Sequence, residues 1–512
     1  MTVRSRLVKK GIGMQMRVML IVLAMAGAAA AADQPMWGRQ DSRNMVSDET
    51  GLPDTCDPKT GANVKWSVAL GTAVYSTPVI GGGKVIIGTN NDVSPPRDPR
   101  HRGDRGVLVC LSEKDGSLCW QLVVPKLKGM LVDAGGVGLV SPATIEGDRA
   151  YVVTNRNEVA CLDLAGLANG NDGPFKDEAR HQAPPDEPPI ETGNLDADIL
   201  WLYDINAGVG VHQHDAAHGS ILVHGRHLYV CTSNGVDKTH KVMTTPDAPA
   251  LVVIDKITGR LAARDDERMA PRTIHCTWSS PSMGEVGGRM LVFFGGGDAY
   301  CYAFEALPPD AAPSETAKLK CVWRFDCDPA APRQDILKFQ ENRKEGPSNI
   351  TAMPVFDKGR VYVVAGGDYW HGKRETWLKC IDATGSGDIT RTGLRWSYAV
   401  QKHGMSTPSI SDGLVFVADT TGVVHCVDAD TGKPYWTHDA GGEIWGSTLV
   451  ADGRVYVGTH KGDLCVLAAG REKRLIASVN FGSPINSTPV AANGTLYVAT
   501  MKRLYALRKP SP

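Results

Sequence analysis

The chain has 512 residues, with 55 Lys plus Arg against 56 Asp plus Glu and a formal net charge of −1. A balance this even gives no electrostatic case for nucleic acid or an anionic membrane surface as the main partner. Twelve cysteines are present but no Cys-x-x-Cys-His occurs, which excludes covalent haem attachment by that motif.

Residues 1–32 have the pattern of a secretory signal. Arg4, Arg6, Lys9, Lys10 and Arg17 precede an uncharged, mostly apolar run over 18–31, and Ala30-x-Ala32 fits the small-residue cleavage rule. The run is short for a spanning helix, and no second apolar stretch of that length follows. No Cys precedes Cys56, so no lipid anchor is expected. Removing this segment takes the net charge from −1 to −6. The expectation is an exported chain, periplasmic or secreted, without a membrane span. Residues 33–62 form an N-terminal extension, 63–508 a single repeat-built domain and 509–512 a tail.

The repeat is clearest over 405–436. An inner strand follows Ser406-Thr407-Pro408, and an Asp412-Gly413 turn leads into Leu414-Val415-Phe416-Val417. A Thr421-Gly422 turn opens the next strand, and Asp428-x-x-Thr431-Gly432 precedes a last strand that reaches Trp436. Turn residues bounding short alternating apolar runs mark antiparallel hairpins. The unit recurs around Pro78, Pro142, Pro281, Pro354 and Pro489, and in two degenerate copies with Ile221 and Thr448 at the proline position, which makes eight. Trp120, Trp201, Trp323, Trp396 and Trp436 end the fourth strand of five units.

The eighth unit stops near Leu507 without a fourth strand. Upstream of the first unit, Asn63-Val64-Lys65-Trp66-Ser67-Val68 is a fourth strand without a unit. The economical fold is an all-β, eight-bladed β-propeller, closed by this N-terminal strand in the last blade. Closure removes an exposed sheet edge. Each docking Trp buries ~150–250 Å², at most ~4–6 kcal/mol of hydrophobic stabilisation. Cys110, Cys161, Cys380 and Cys426 share one strand position with Val253, Ala303, Val466 and Ala506. That exchange marks a small buried apolar position, so these thiols are expected to be unbridged.

With its Pro…Val-Tyr-Val…Gly…Cys-Leu/Val-Asp-x-x-Thr-Gly-x-x-x-Trp pattern, the unit resembles the pyrroloquinoline-quinone (PQQ) repeat. Trp37-Gly38…Thr50-Gly51-Leu52-Pro53 and the stretch from Ile199 to Arg508 are similar to exported bacterial PQQ-binding-like propellers. The resemblance covers nearly all of 36–508. More distantly it reaches the quinoprotein alcohol dehydrogenases and the outer-membrane assembly propellers. The dehydrogenases imply PQQ over a Trp floor beneath an adjacent-Cys disulfide, with Ca²⁺ and a carboxylate base. No adjacent Cys-Cys occurs in this chain.

Long insertions at 89–106, 125–138, 204–217, 235–249, 264–277, 324–350 and 366–376 fall between outer and next inner strands or between the two middle strands, all on one face. Two more, 165–198 and 306–319, fall on the other, and the Pro-rich 165–198 is expected to be an extended, mobile excursion. Loops on a rigid scaffold are the usual place for function. Three residues before each repeat proline stand Tyr75, Leu139, His218, Trp278, Thr351, Met405, Trp445 and Asn486, expected to ring the mouth of the central channel. Of these, Trp278, Trp445, His218, Tyr75 and Asn486 are the candidate ligand- or cofactor-binding residues. His212, His214, Asp215 and His218 are the candidate metal ligands, imidazole and carboxylate donors suiting a transition metal. His275, Asp368 and His371 lie in other loops of that face, and Asp298 is a candidate base or Ca²⁺ ligand by position. Two functions follow as expectations. One is a monomeric scaffold binding a small molecule or protein at its loop-rich face. The other is a quinoprotein oxidoreductase, a PQQ-dependent dehydrogenase with PQQ and Ca²⁺ on the axis.

Overall fold

A computed structural model describes residues 1–2, 32–92, 98–128, 136–215, 219–510; most of the segment expected to be a secretory signal, 3–31, and His218 lie outside the described residues. Eight sheets, antiparallel in their four main strands, form the eight blades of a β-propeller, and a two-residue strand pairs parallel on the outer edge of blades three and four. Blade one runs from inner strand Val79–Gly81 to outer strand Leu118–Pro125, blade two from Thr144–Glu146 to Ile199–Asp204, and blade three from Leu222–His224 to Leu261–Arg264. Blades four to seven start at Ser282–Val286, Val355–Asp357, Ser409–Ser411 and Leu449–Ala451, and blade eight at Val490–Ala492. Among the described residues no helix is long and apolar enough to cross a membrane.

The ring closes as expected. Val64–Ala69 pairs antiparallel with Arg503–Leu507, placing Trp66 opposite Ala506. Buried side chains gather at the junctions between adjacent blades. The junction of blades eight and one, with Trp66, Val85, Val109, Tyr497 and Leu504, is packed like the others. All twelve cysteines are free, and Cys110, Cys161, Cys380 and Cys426 are buried.

The repeat motif has a mechanical reason. The indole N–H of Trp66 donates to the Glu113 carbonyl of blade one at 3.0 Å, and that of Trp120 to the Leu164 carbonyl of blade two at 2.9 Å. Trp201, Trp323, Trp396 and Trp436 donate to Lys256, Ala383, Ala429 and Gly470 in the blade that follows each. Each Trp is thus a staple from one blade to the next. At the turn beneath Trp396 only glycine fits. A Cβ on Gly432 would lie 2.5 Å from the Trp396 ring, and its φ of +69° is in the left-handed region.

The N-terminal extension does more than lead into the closing strand. Residues 34–47 visit the inner strand of each blade, or the residues just before it, in turn. Ile80 and Ile145 donate their N–H groups to the carbonyls of Gln34 and Pro35. Arg43 donates to the carbonyls of Ser220 and Pro281 in blades three and four. Phe356 donates to the Ser42 carbonyl, Asn44 exchanges two hydrogen bonds with Ile410, Met45 and Ser47 bracket Val450, and the Ser47 hydroxyl donates to Ala491. The segment therefore lies across the axis on one face. Arg43 is fully buried, and burial pushes its pKa down to about 9.

The expectation of a mobile 165–198 excursion is corrected. Gln182 is fully buried and accepts a hydrogen bond from the Val123 N–H. Gln121 donates its N–H to the Leu195 carbonyl, and Ala197 returns one to the Gln121 carbonyl. The insertion folds over the outer edge of blade one and satisfies its free backbone groups, the usual protection of an edge strand.

Candidate functional site

The channel is blocked on one side by the 34–47 segment, and a cavity of about 380 Å³ remains above it. Trp37 forms part of its lining, its indole held at 3.1 Å by the Thr488 hydroxyl. Tyr75, Trp278, Thr351, Met405, Trp445 and Asn486 line the cavity, so six of the eight expected ring positions converge there. Leu139 instead is buried in the core between blades one and two, with Val137 and Val140 facing the cavity beside it. His218 lies outside the described residues.

Five aromatic side chains dominate the lining: Trp37, Tyr75, Trp278, Trp370 and Trp445. Tyr75 stacks on Trp445 with centroids 6.1 Å apart and planes 27° from parallel. Trp370 stands edge-on between the other two, 5.5 Å from Trp278 and 6.2 Å from Trp445. Trp370 is 37% exposed, whereas Trp278 is 6% exposed. Sequence reasoning missed Trp370 because it belongs to the 366–376 insertion and has no counterpart in the repeat.

The four histidines His214, His240, His275 and His371 pack beside this aromatic wall, with His275 and His371 on the cavity surface. His275 meets Trp278 edge-on at 4.8 Å. Beneath them the buried carboxylate of Asp368 accepts from His275 Nδ1 at 3.2 Å, from Asn349 Nδ2 at 2.9 Å and from the N–H groups of Trp370 and His371. Burial raises the Asp368 carboxyl, but the neighbouring His275 and these donors outweigh it and hold it well below the usual range. His371 is pushed down to about 4, by burial first and by His275 next.

Of the three candidate metal ligands among the described residues, His212, His214 and Asp215, only His214 joins this cluster. Asp215 lines the cavity. His212 is half-buried, and its N–H is tied to the Asn234 side chain at 3.0 Å. His240 was missed, although the 235–249 insertion that carries it is one of the long loops on this face. Asp298 is not at the cavity. It is fully buried and held by Arg272 at 2.7 Å and by the Tyr302 hydroxyl at 2.8 Å. Burial pushes its carboxyl up, and Arg272 opposes that. A carboxylate enclosed in this way is a structural ion pair, not an accessible base.

A family of PQQ-type repeats, described as outer membrane protein assembly factor BamB, matches residues 374–508. A quinohemoprotein alcohol dehydrogenase of Comamonas testosteroni is 31% identical over 116 residues, 20% of this chain and 16% of that enzyme. The chain thus matches less than a fifth of that curated relative's length. The crystal structure of that enzyme superposes with a TM-score of 0.57 at 14% identity, over 95% of this chain and 83% of the other. A europium-containing methanol dehydrogenase gives 0.56 at 14%, over 92% and 89%. BamB from Moraxella catarrhalis gives 0.52 at 13%, over 86% and 98%. At such identities the superpositions speak for architecture alone, and with the repeat matched over 374–508 the chain is a PQQ-like, eight-bladed β-propeller.

Proposed function

We propose that this propeller is an exported binding scaffold whose axial cavity takes a small, planar, neutral or cationic molecule. One observation carries the reading. Five aromatic side chains surround a cavity of about 380 Å³, and no Lys or Arg stands among its described lining residues. Aromatic faces recognise flat ligands, and a described lining without Lys or Arg offers an anion no such partner, while the ring faces can also take a cation. The fold itself does not choose between binding and chemistry.

PQQ is flat, but it carries three carboxyl groups, and the quinoprotein reading needs oxygen ligands for Ca²⁺ beside it. The aromatic faces suit it. The charge does not: the described lining offers one carboxylate, Asp215, and no Lys or Arg to meet an anion.

Titration calorimetry on the tag-free, chelator-stripped protein tests the reading with three flat probes: neutral lumichrome, cationic proflavine, and PQQ with and without Ca²⁺. The neutral or cationic probe is expected to bind at least about tenfold more tightly than PQQ, a difference of ~1.4 kcal/mol. PQQ binding more tightly than both would replace this reading with the quinoprotein one. Binding by none of the three at ~100 µM would end the planar-ligand reading.

A further inference from the structure

The four imidazoles beside the cavity come from four separate loops on one face. His214 follows the outer strand of blade two, His240 lies between middle strands of blade three, His275 precedes blade four, and His371 belongs to blade five. Ring centroids lie 4.6 Å apart for His214 and His275, 4.9 Å for His214 and His240, and 5.2 Å for His240 and His275. His371 is 4.2 Å from His240 and 4.6 Å from His275. One ring nitrogen from each of His214, His240 and His275 falls within 4.8 Å of the others.

The hydrogen-bond partners fix the tautomers of two of these rings. Nδ1 of His214 lies 2.6 Å from the Val236 carbonyl oxygen, which can only accept, so Nδ1 carries the hydrogen. Nδ1 of His275 lies 3.2 Å from the Asp368 carboxylate, which accepts at each of its other contacts, so this Nδ1 also donates. A neutral imidazole protonated at Nδ1 presents a lone pair at Nε2. These two Nε2 atoms face each other at 3.0 Å. Two lone pairs at that distance repel, and only a cation between them makes the contact favourable.

A shared proton would separate the pair but would use only two of the four rings. A metal ion uses three or four. A tetrahedral ion with M–N bonds of ~2.0–2.1 Å needs neighbouring nitrogens about 3.3–3.4 Å apart. The 3.0 Å contact reaches that with a shift of a few tenths of an ångström. An all-imidazole donor set suits late first-row divalent ions and disfavours Ca²⁺ and Mg²⁺, which take oxygen. The carboxylate behind His275 is the usual support for a metal-bound imidazole. We propose that His214, His240 and His275, with His371 on the cavity side, form a transition-metal site of the zinc or copper class, positioned by Asp368. The site opens toward the aromatic cavity through His275 and His371. It goes beyond the ligand-binding reading and does not rest on it.

The test uses the tag-free chain, stripped with chelator and titrated with Zn²⁺ alone, and with Co²⁺ for its visible spectrum. One equivalent is expected to bind. His214→Ala and His275→Ala each lower affinity at least about 100-fold, and Asp368→Asn roughly 10–100-fold, with Co²⁺ still coordinated. His240→Gln and His371→Gln alter half-buried rings, so they carry the test if the buried variants do not fold. Each is expected to lower affinity about tenfold and to shift the Co²⁺ spectrum. His438→Ala, on the outer strand Pro434–Asp439 of blade six, is expected to change nothing. Failure to take up Zn²⁺ or Co²⁺ at tens of micromolar overturns the proposal, leaving the shared proton. Uptake that these cluster variants leave unchanged overturns it equally.

Discussion

Deleting residues 33–70 is expected to abolish cooperative unfolding, not merely lower the melting temperature. The deletion removes two things at once. Val64–Ala69 is the outer strand of blade eight, and without it Arg503–Leu507 becomes an open edge facing blade one. Residues 34–47 hydrogen-bond to all eight blades at or just before their inner strands, so their loss leaves backbone groups of every blade without a partner at the axis. A domain's net stability is only ~5–15 kcal/mol, and each orphaned buried group costs ~1–3 kcal/mol. Far-UV circular dichroism during a thermal ramp reads the outcome. A truncated chain that still melts in one transition within a few degrees of the untruncated protein would show that the ring does not need this segment. A finer version is Arg43→Ala, which strips the donors from the Trp37, Ser220 and Pro281 carbonyls and is expected to cost ~3–5 kcal/mol in urea unfolding.

Trp120→Ala is expected to cost ~3–5 kcal/mol plus the hydrogen bond its indole makes to Leu164. Trp120 is fully buried at the junction of blades one and two, against Val79, Leu108 and Leu162. Trp370→Ala is the contrast. That ring is 37% exposed on the cavity and staples no blade, so its removal is expected to cost under about 1 kcal/mol. Urea denaturation of the two variants, compared by midpoint at equal slope, measures the difference. Equal costs would refute the distinction between stapling and lining tryptophans.

What the sequence made legible follows from which contacts repeat. The Asp-x-x-Thr-Gly turn and the terminal Trp recur because every blade must dock on the next, and Gly432 beneath Trp396 is one instance of a joint made several times. Closure by Trp66 was readable for the same reason. The path of 34–47 was not, because most of its contacts use backbone carbonyls, and no side-chain period marks them. The same holds for 165–198, whose proline-rich composition suggested mobility while Gln182 and its backbone tie it to blade one. At the cavity, ring positions such as Trp278 and Trp445 were legible from repeat phase. His240 and Trp370 come from insertions of different length, where phase is lost. Asp298 was singled out by position, and only the structure shows Arg272 and Tyr302 enclosing it.

The claim that binding takes place in the axial cavity is tested most directly by repeating the calorimetric titration, with the tightest of the three flat probes, on the Trp278→Ala/Trp445→Ala double variant. Both rings line the cavity without stapling a blade, so the variant is expected to unfold cooperatively and to lose roughly 30-fold or more in affinity. Affinity within about twofold of the unaltered protein, at well under 1 kcal/mol, would contradict the account and place the ligand elsewhere on the propeller.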